Sequence, residues 1–187
     1  MSINWEEVFQ DFSNELEALD VPSFSIYCVG GFVLQYNELR GTMDVDAFYR
    51  ADKAVEQAIC RVGEKHGING VDELWLNNHV ESLNPCPDAE HFQLAYNFPR
   101  LNVYVADLKY VLAMKLASGR DIDNVDIKHI IETLGCDDPV ELSRELKTYD
   151  LPGLDTSELL IKFGEIYGAD WLTDYIQEHG EALRAEF

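Results

Sequence analysis

The amino-acid sequence predicts an α+β fold: a small mixed β-sheet backed by helices, with an α-helical C-terminal part. Three observations lead there. Helix-type and strand-type periodicities alternate through the first half as α, β, α, β, α and then a β-hairpin. From residue 107 onward only helical spacing recurs, and no Pro-, Gly- or Ser-rich linker divides the chain. The 187 residues are therefore read as one domain, 1–187, with a core over about 20–135 and a helical extension over about 136–187.

Each element has its own reason. Trp5, Val8, Phe9, Phe12, Leu16 and Leu19 fall on one helical face, Asn4 can cap its start, and Pro22 marks the break after Asp20. Residues 23–29 form a β-type run, 30 to about 39 a short helix, and 45–49 a second strand. Residues 51–66 read as a helix closed by Gly67 and Gly70. Residues 72–82, containing Leu74-Trp75-Leu76-Asn77-Asn78, read as a short helical piece, and 83–87 as a loop rich in Pro, Asn and Cys. The β-type runs 91–95 and 101–105 flank Tyr96-Asn97-Phe98-Pro99-Arg100, a hairpin turn. Helices follow at 107–118, 125–134, 139–148, 155–167 and 169–185, with Gly119 and Gly135 as stops and Pro139 in a first turn.

Composition narrows the class. Apolar residues make up 47% of the chain, enough for a core. No run is long enough to span a bilayer, and Met1-Ser2-Ile3-Asn4-Trp5-Glu6-Glu7 lacks the basic start of a signal peptide, so a cytoplasmic protein is expected. The four cysteines, Cys28, Cys60, Cys86 and Cys136, are scattered without a C-x-x-C pair, which argues for reduced thiols and against a zinc site. His66, His79, His91, His129 and His179 show no metal-ligand spacing. Against 35 Asp plus Glu stand 14 Lys plus Arg, a formal net charge of -21. Such a surface repels nucleic acid and anionic membrane, disfavours unaided nucleic-acid binding, and admits a basic protein partner.

Two constellations carry chemistry. In the first, a β-type run ends at Gly30-Gly31, an apolar helix follows, and Arg40, Thr42, Asp44 and Asp46 then come at alternate positions. Alternate side chains of an extended strand share a face. Two carboxylates there suit a hard divalent cation, Mg²⁺ or Mn²⁺, and a glycine turn at a helix start suits a phosphate. Together they point to nucleotide chemistry. In the second, Lys115 lies inside an apolar helix face, where an unpaired ammonium is costly; Arg120 follows Gly119, and Asp123 and Asp126 open the next helix. A salt-bridged lysine with ordinary N-terminal acids is the plainer reading of that second group.

With both in hand, the chain resembles the minimal, AbiEii-related nucleotidyltransferases of the DNA polymerase β superfamily. The first motif of that group, Gly-Gly, an apolar helix, then Arg-x-Thr-x-Asp-apolar-Asp, is matched by Gly30, Gly31, Arg40, Thr42, Asp44 and Asp46. The second, Lys-Leu-x-Ala-x-Arg-x-x-Asp in outline, is matched by Lys115, Leu116, Arg120, Asp123 and Asp126, with Ala117 one place early. Trp75-Leu76-Asn77-Asn78 resembles a Trp-Leu-Asn-Asp segment of one branch, Asn78 replacing the acid. The resemblance covers roughly residues 20–135.

It implies a sheet of nucleotidyltransferase type and transfer of a nucleoside monophosphate from an NTP to a hydroxyl acceptor with Mg²⁺. Asp44 and Asp46 would hold the metal, and Gly30, Gly31, Arg40, Thr42, Lys115 and Arg120 would bind the nucleotide phosphates. Asp123 would act as base or as partner of Lys115. The acceptor is left open between tRNA, protein and small molecule, and the family includes toxin components of toxin–antitoxin and phage-defence systems. One departure stands out: the superfamily's third carboxylate, on a later strand, has no counterpart in 91–95 or 101–105, which leaves Glu90, Asp107 or Asp123 for the role. The alternatives are a catalytically impaired nucleotidyltransferase-fold module that binds a nucleotide or a partner protein, and a purely structural acidic subunit.

Overall fold

The computed structural model describes residues 3–71, 73–82, 86 and 88–187. Most of the loop expected over 83–87 lies outside the described residues, as does Asp72. The chain divides into two compact units, Met1–Asp107 and Leu108–Phe187. The motif-bearing stretch 20–135 thus contributes to both.

The first unit holds a five-stranded mixed sheet. Its elements are α1 (Trp5–Ala18), β1 (Phe24–Val29), α2 (Gly30–Tyr36), β2 (Val45–Phe48), α3 (Lys53–His66), β3 (Leu76–Asn77), β4 (Phe92–Asn97) and β5 (Leu101–Ala106). The strand order is β3-β2-β1-β5-β4. β1 runs antiparallel to β2 and parallel to β5, β2 parallel to β3, and β4 antiparallel to β5, with a register shift between Leu94 and Tyr96. The α+β class expected from the sequence is therefore the class observed.

Alternation along the strands sets the core. Ile26 and Cys28 of β1 and Leu101, Val103 and Val105 of β5 are fully buried, while Ser25, Tyr27, Asn102 and Tyr104 between them are only half-buried. The buried face meets an aromatic cluster: Phe12 of α1 packs edge-on to Phe24 and Trp75, and Trp5 and Phe9 meet Phe32 and Trp75. Trp75 donates its indole N–H to the Ile59 carbonyl at 2.8 Å, so its one polar atom is satisfied inside the core.

One expectation needs correcting. The described residues 73–82 are not one helical piece: Leu76–Asn77 is a strand, parallel to β2, and among these residues only His79–Ser82 forms a single 3-10 turn. A short apolar run carries no period long enough to separate helix from strand, and pairing with β2 decides it.

The second unit is helical: α4 (Leu108–Ser118), α5 (Asn124–Leu134), α6 (Pro139–Lys147), α7 (Glu158–Tyr167) and α8 (Ala169–Glu186). Gly119 and Gly135 follow α4 and α5 with φ of 58° and 63°, the left-handed region that glycine enters without strain. Asp138 caps α6, its Oδ1 accepting from the backbone N–H of Val140 and Glu141 at 2.9 and 3.0 Å. Val140, Tyr175 and Leu183 form a buried cluster with Leu160 and Trp171 against them. Among the described residues, no helix is long and apolar enough to cross a membrane.

Candidate functional site

The first group of predicted site residues converges on the turn after β1. Gly30 holds φ at 60°, and a Cβ built on it would come 3.0 Å from Asp46 Oδ2. A Cβ on Gly31 would come 2.7 Å from Thr42 Oγ1 and 3.5 Å from an Arg40 terminal nitrogen. The two glycines therefore let the Arg40–Asp46 segment close onto the turn, a packing that a Cβ at either position would strain. Thr42 is fixed from both ends: its N–H donates to Gln35 Oε1 at 2.8 Å, and its hydroxyl donates to Asp44 Oδ1 at 2.9 Å. Arg40 donates to the Gly41 carbonyl at 3.1 Å.

Strand register places Asp46 opposite Val29 of β1 and beside Asn77 of β3. Asp44, two positions earlier, lies just ahead of β2 and is exposed, whereas Asp46 is half-buried. Burial pushes the Cys28 thiol well up, and the charge of nearby Asp46 adds to it, so Cys28 is a neutral core side chain.

The strands resolve the third carboxylate only to candidates. β5 runs parallel to β1, with Cys28 opposite Val105, so Asp107 leaves the sheet at the end where β1 delivers Gly30. Its carboxylate lies 3.2 Å from His91 Nδ1. Glu90 is exposed in the 3-10 turn Ala89–His91. Asn97 ends β4 and donates to Asn102 at 2.6 Å.

The second group lies in the helical unit. Lys115 is buried, 6% exposed, and donates to Asp123 Oδ1 at 2.6 Å and Asp126 Oδ2 at 2.8 Å, both acids being buried too. The other Asp123 oxygen accepts from Ser118 Oγ at 3.1 Å and Arg120 Nε at 3.0 Å. Burial pushes the Asp123 carboxyl up, but the hydrogen bond and charge of Lys115, with Arg120 and Ser118, outweigh it and hold the group below the ordinary carboxylate range. A carboxylate so depressed, with both oxygens engaged, is a poor proton acceptor and a good anchor for Lys115.

Among the described residues, no group of three or more His, Cys, Asp or Glu is close enough to hold a metal ion. Asp44 and Asp46 offer a pair. One or two carboxylates completed by substrate phosphates and water is how Mg²⁺ is commonly bound, so the pair fits a cation arriving with its nucleotide better than a resident one.

Three residues escaped the sequence reading. Gln35 holds the Thr42 backbone and carries no signal beyond a polar residue near a motif; Asn77, which entered only within the Trp-Leu-Asn-Asp resemblance and with no role there, flanks Asp46 across the strand pair. Lys162 of α7 is buried like Lys115, and a lysine within Leu159-Leu160-Ile161-Lys162-Phe163 was a visible signal of the same kind.

Set against family models, curated proteins and solved structures, the chain matches none of them.

Proposed function

We propose that the protein is a metal-dependent nucleotidyltransferase-fold enzyme that moves a nucleoside monophosphate from an NTP to a hydroxyl. The observation that carries this reading is the closure of Arg40, Thr42 and Asp46 onto Gly30 and Gly31, with Asp44 tied in through Thr42. Contiguity in sequence does not require that closure. It makes two positions costly for any side chain, one at positive φ, and a turn serving stability alone would not need an acid pressed against it.

On this reading the residues divide the work. Asp44 and Asp46 take one face of the cation, and Mg²⁺ bound with the nucleotide neutralises charge developing on the phosphates. Gly30 and Gly31 let Asp46 and Thr42 sit against the turn, which fixes the carboxylate pair in place. Thr42 orients Asp44 through its hydroxyl while Gln35 fixes Thr42. Within the helical unit, Arg120 is the cation open to phosphate oxygens, while Lys115 is held by Asp123 and Asp126. With a net charge of -21, a protein or small-molecule acceptor fits better than unaided tRNA, and a cytoplasmic setting follows from the substrate.

A second reading, a nucleotide-binding module without turnover, is favoured by one observation: neither β4 nor β5 carries an acid. A thermal-shift series tests the first and separates the two. Wild type with Mg²⁺ and each of the four NTPs should melt higher, since ligand at a hundredfold its Kd adds about 2.7 kcal/mol, and Asp44→Ala should lose the Mg²⁺-dependent part. No shift with any NTP sinks the proposal. A shift without pyrophosphate release, across a panel of hydroxyl acceptors, selects the binding module.

A further inference from the structure

The helical unit contains a pocket of about 210 Å³ lined by Lys115, Arg120 and Lys162, with Asn124, Ile127 and Ile161 among its other walls. Three of the 14 Lys plus Arg in a chain with 35 acids meet there. The acids on its lining, Asp121 and Glu158, are both exposed, whereas Lys115 and Lys162 are 6% and 8% exposed. Exposed charges are screened by water and salt; buried ones keep most of their field.

Lys162 is the informative member. Among the described residues its charge contact is Glu165 Oε2 at 3.8 Å, beyond hydrogen-bond length, and that carboxylate is held by Lys128 at 2.7 Å. Lys115 is different, being spent on Asp123 and Asp126. The stem of Lys162 is nine-tenths buried, while its ammonium has no short acceptor and opens to the pocket, where its three N–H groups can be met by a ligand's oxygens. Arg120 adds to this: its Nε is used on Asp123, and its two terminal nitrogens make no hydrogen bond with described residues.

We infer that this pocket binds a phosphate-type oxyanion, with Lys162 as its principal ligand and Arg120 as its second. The volume falls below the usual 300–1,000 Å³ of a pocket for a whole small molecule, and suits a phosphate or pyrophosphate group instead. The inference carries the phosphate-binding role of the nucleotidyltransferase reading onto α7. Its test uses neither Mg²⁺ nor turnover, so either can fail alone.

The experiment is isothermal titration of the full chain in EDTA at fixed ionic strength with sodium pyrophosphate, orthophosphate and ATP. Wild type should bind pyrophosphate. Lys162→Met, which keeps the buried stem, should weaken it roughly ten- to hundredfold, the worth of a hydrogen bond to a charged group. Lys162→Arg should retain binding, and Asp44→Ala should leave it unchanged. Because Lys162 is buried, Ile161→Glu serves as a second variant: Ile161 is 59% exposed, so the fold is spared while a carboxylate enters the lining. It too should weaken binding. Equal affinity for pyrophosphate and ATP assigns the pocket to a polyphosphate tail; affinity for pyrophosphate alone assigns it to the free anion. No wild-type binding at millimolar pyrophosphate, or binding untouched by both Lys162→Met and Ile161→Glu, overturns the inference.

Discussion

Replacing Lys115 by methionine should destabilise the helical unit far more than the loss of a surface ion pair would. The ammonium lies 2.6 Å from Asp123 and 2.8 Å from Asp126, and all three residues are at most 7% exposed. At an effective dielectric near 20, each contact is worth about 6 kcal/mol gross, most of it offset by desolvation of the three charges. Methionine keeps the volume but leaves two buried carboxylates facing each other. Breaking a buried ion pair from one side costs about 3–5 kcal/mol. With an m-value near ~2 kcal/mol/M, the urea midpoint of the helical unit, followed by far-UV circular dichroism, should fall by about 2 M.

Adding Asp126→Asn to Lys115→Met removes one of the facing charges and should recover part of the loss. The pH dependence has a definite sign as well. The Asp123 carboxyl is held below its ordinary value in the folded chain, so its contribution is present above the unfolded pKa, near ~3.9, and fades as pH falls through the folded value. In Lys115→Met, protonation relieves the repulsion instead, so the gap to wild type should narrow on acidification. A loss under about 1 kcal/mol, or a gap that widens in acid, would refute the account of Lys115 as a buried cation held by two acids.

Three other outcomes are expected. Gly31→Ala should destabilise by about 1–3 kcal/mol, because its Cβ meets Thr42 Oγ1 at 2.7 Å, and chemical denaturation measures this directly. Gly30→Ala should lose about 1–2 kcal/mol from positive φ alone, and an unchanged unfolding midpoint would count against the turn geometry. In the native protein, Cys86, which is exposed, should react with iodoacetamide long before Cys28, which is fully buried with its thiol pushed well up; mass spectrometry of the labelled peptides gives the order.

What the sequence disclosed, it disclosed through local signals. α1 opens at Asn4, whose side chain accepts from the Glu7 N–H at 3.4 Å, and α3 stops at Gly67 at φ 63°, so a cap and a stop were each readable beside the helix they bound. The first motif was legible as a contiguous run of turn, helix and polar positions, but the extended strand expected to carry all four does not form: β2 begins at Val45, and Arg40, Thr42 and Asp44 lie ahead of it. β3 was not legible. It has two residues, and its existence depends on Val45 and Asp46, some thirty positions upstream. Lys162 fell between the two cases. Its apolar neighbours mark it as Lys115's do, but no surrounding motif says what a buried cation there would meet.

The margins of the sheet also bear on how the protein behaves when concentrated. A strand left at the border of a sheet is a template on which another chain can polymerise. Here one border is β3, two residues long, and the other is β4, whose ladder to β5 slips between Leu94 and Tyr96. An incoming strand would find too few consecutive amides on the first and a broken, bent row on the second. Added to mutual repulsion between copies each carrying a formal charge of -21, this geometry closes the ordinary route to strand-by-strand aggregation.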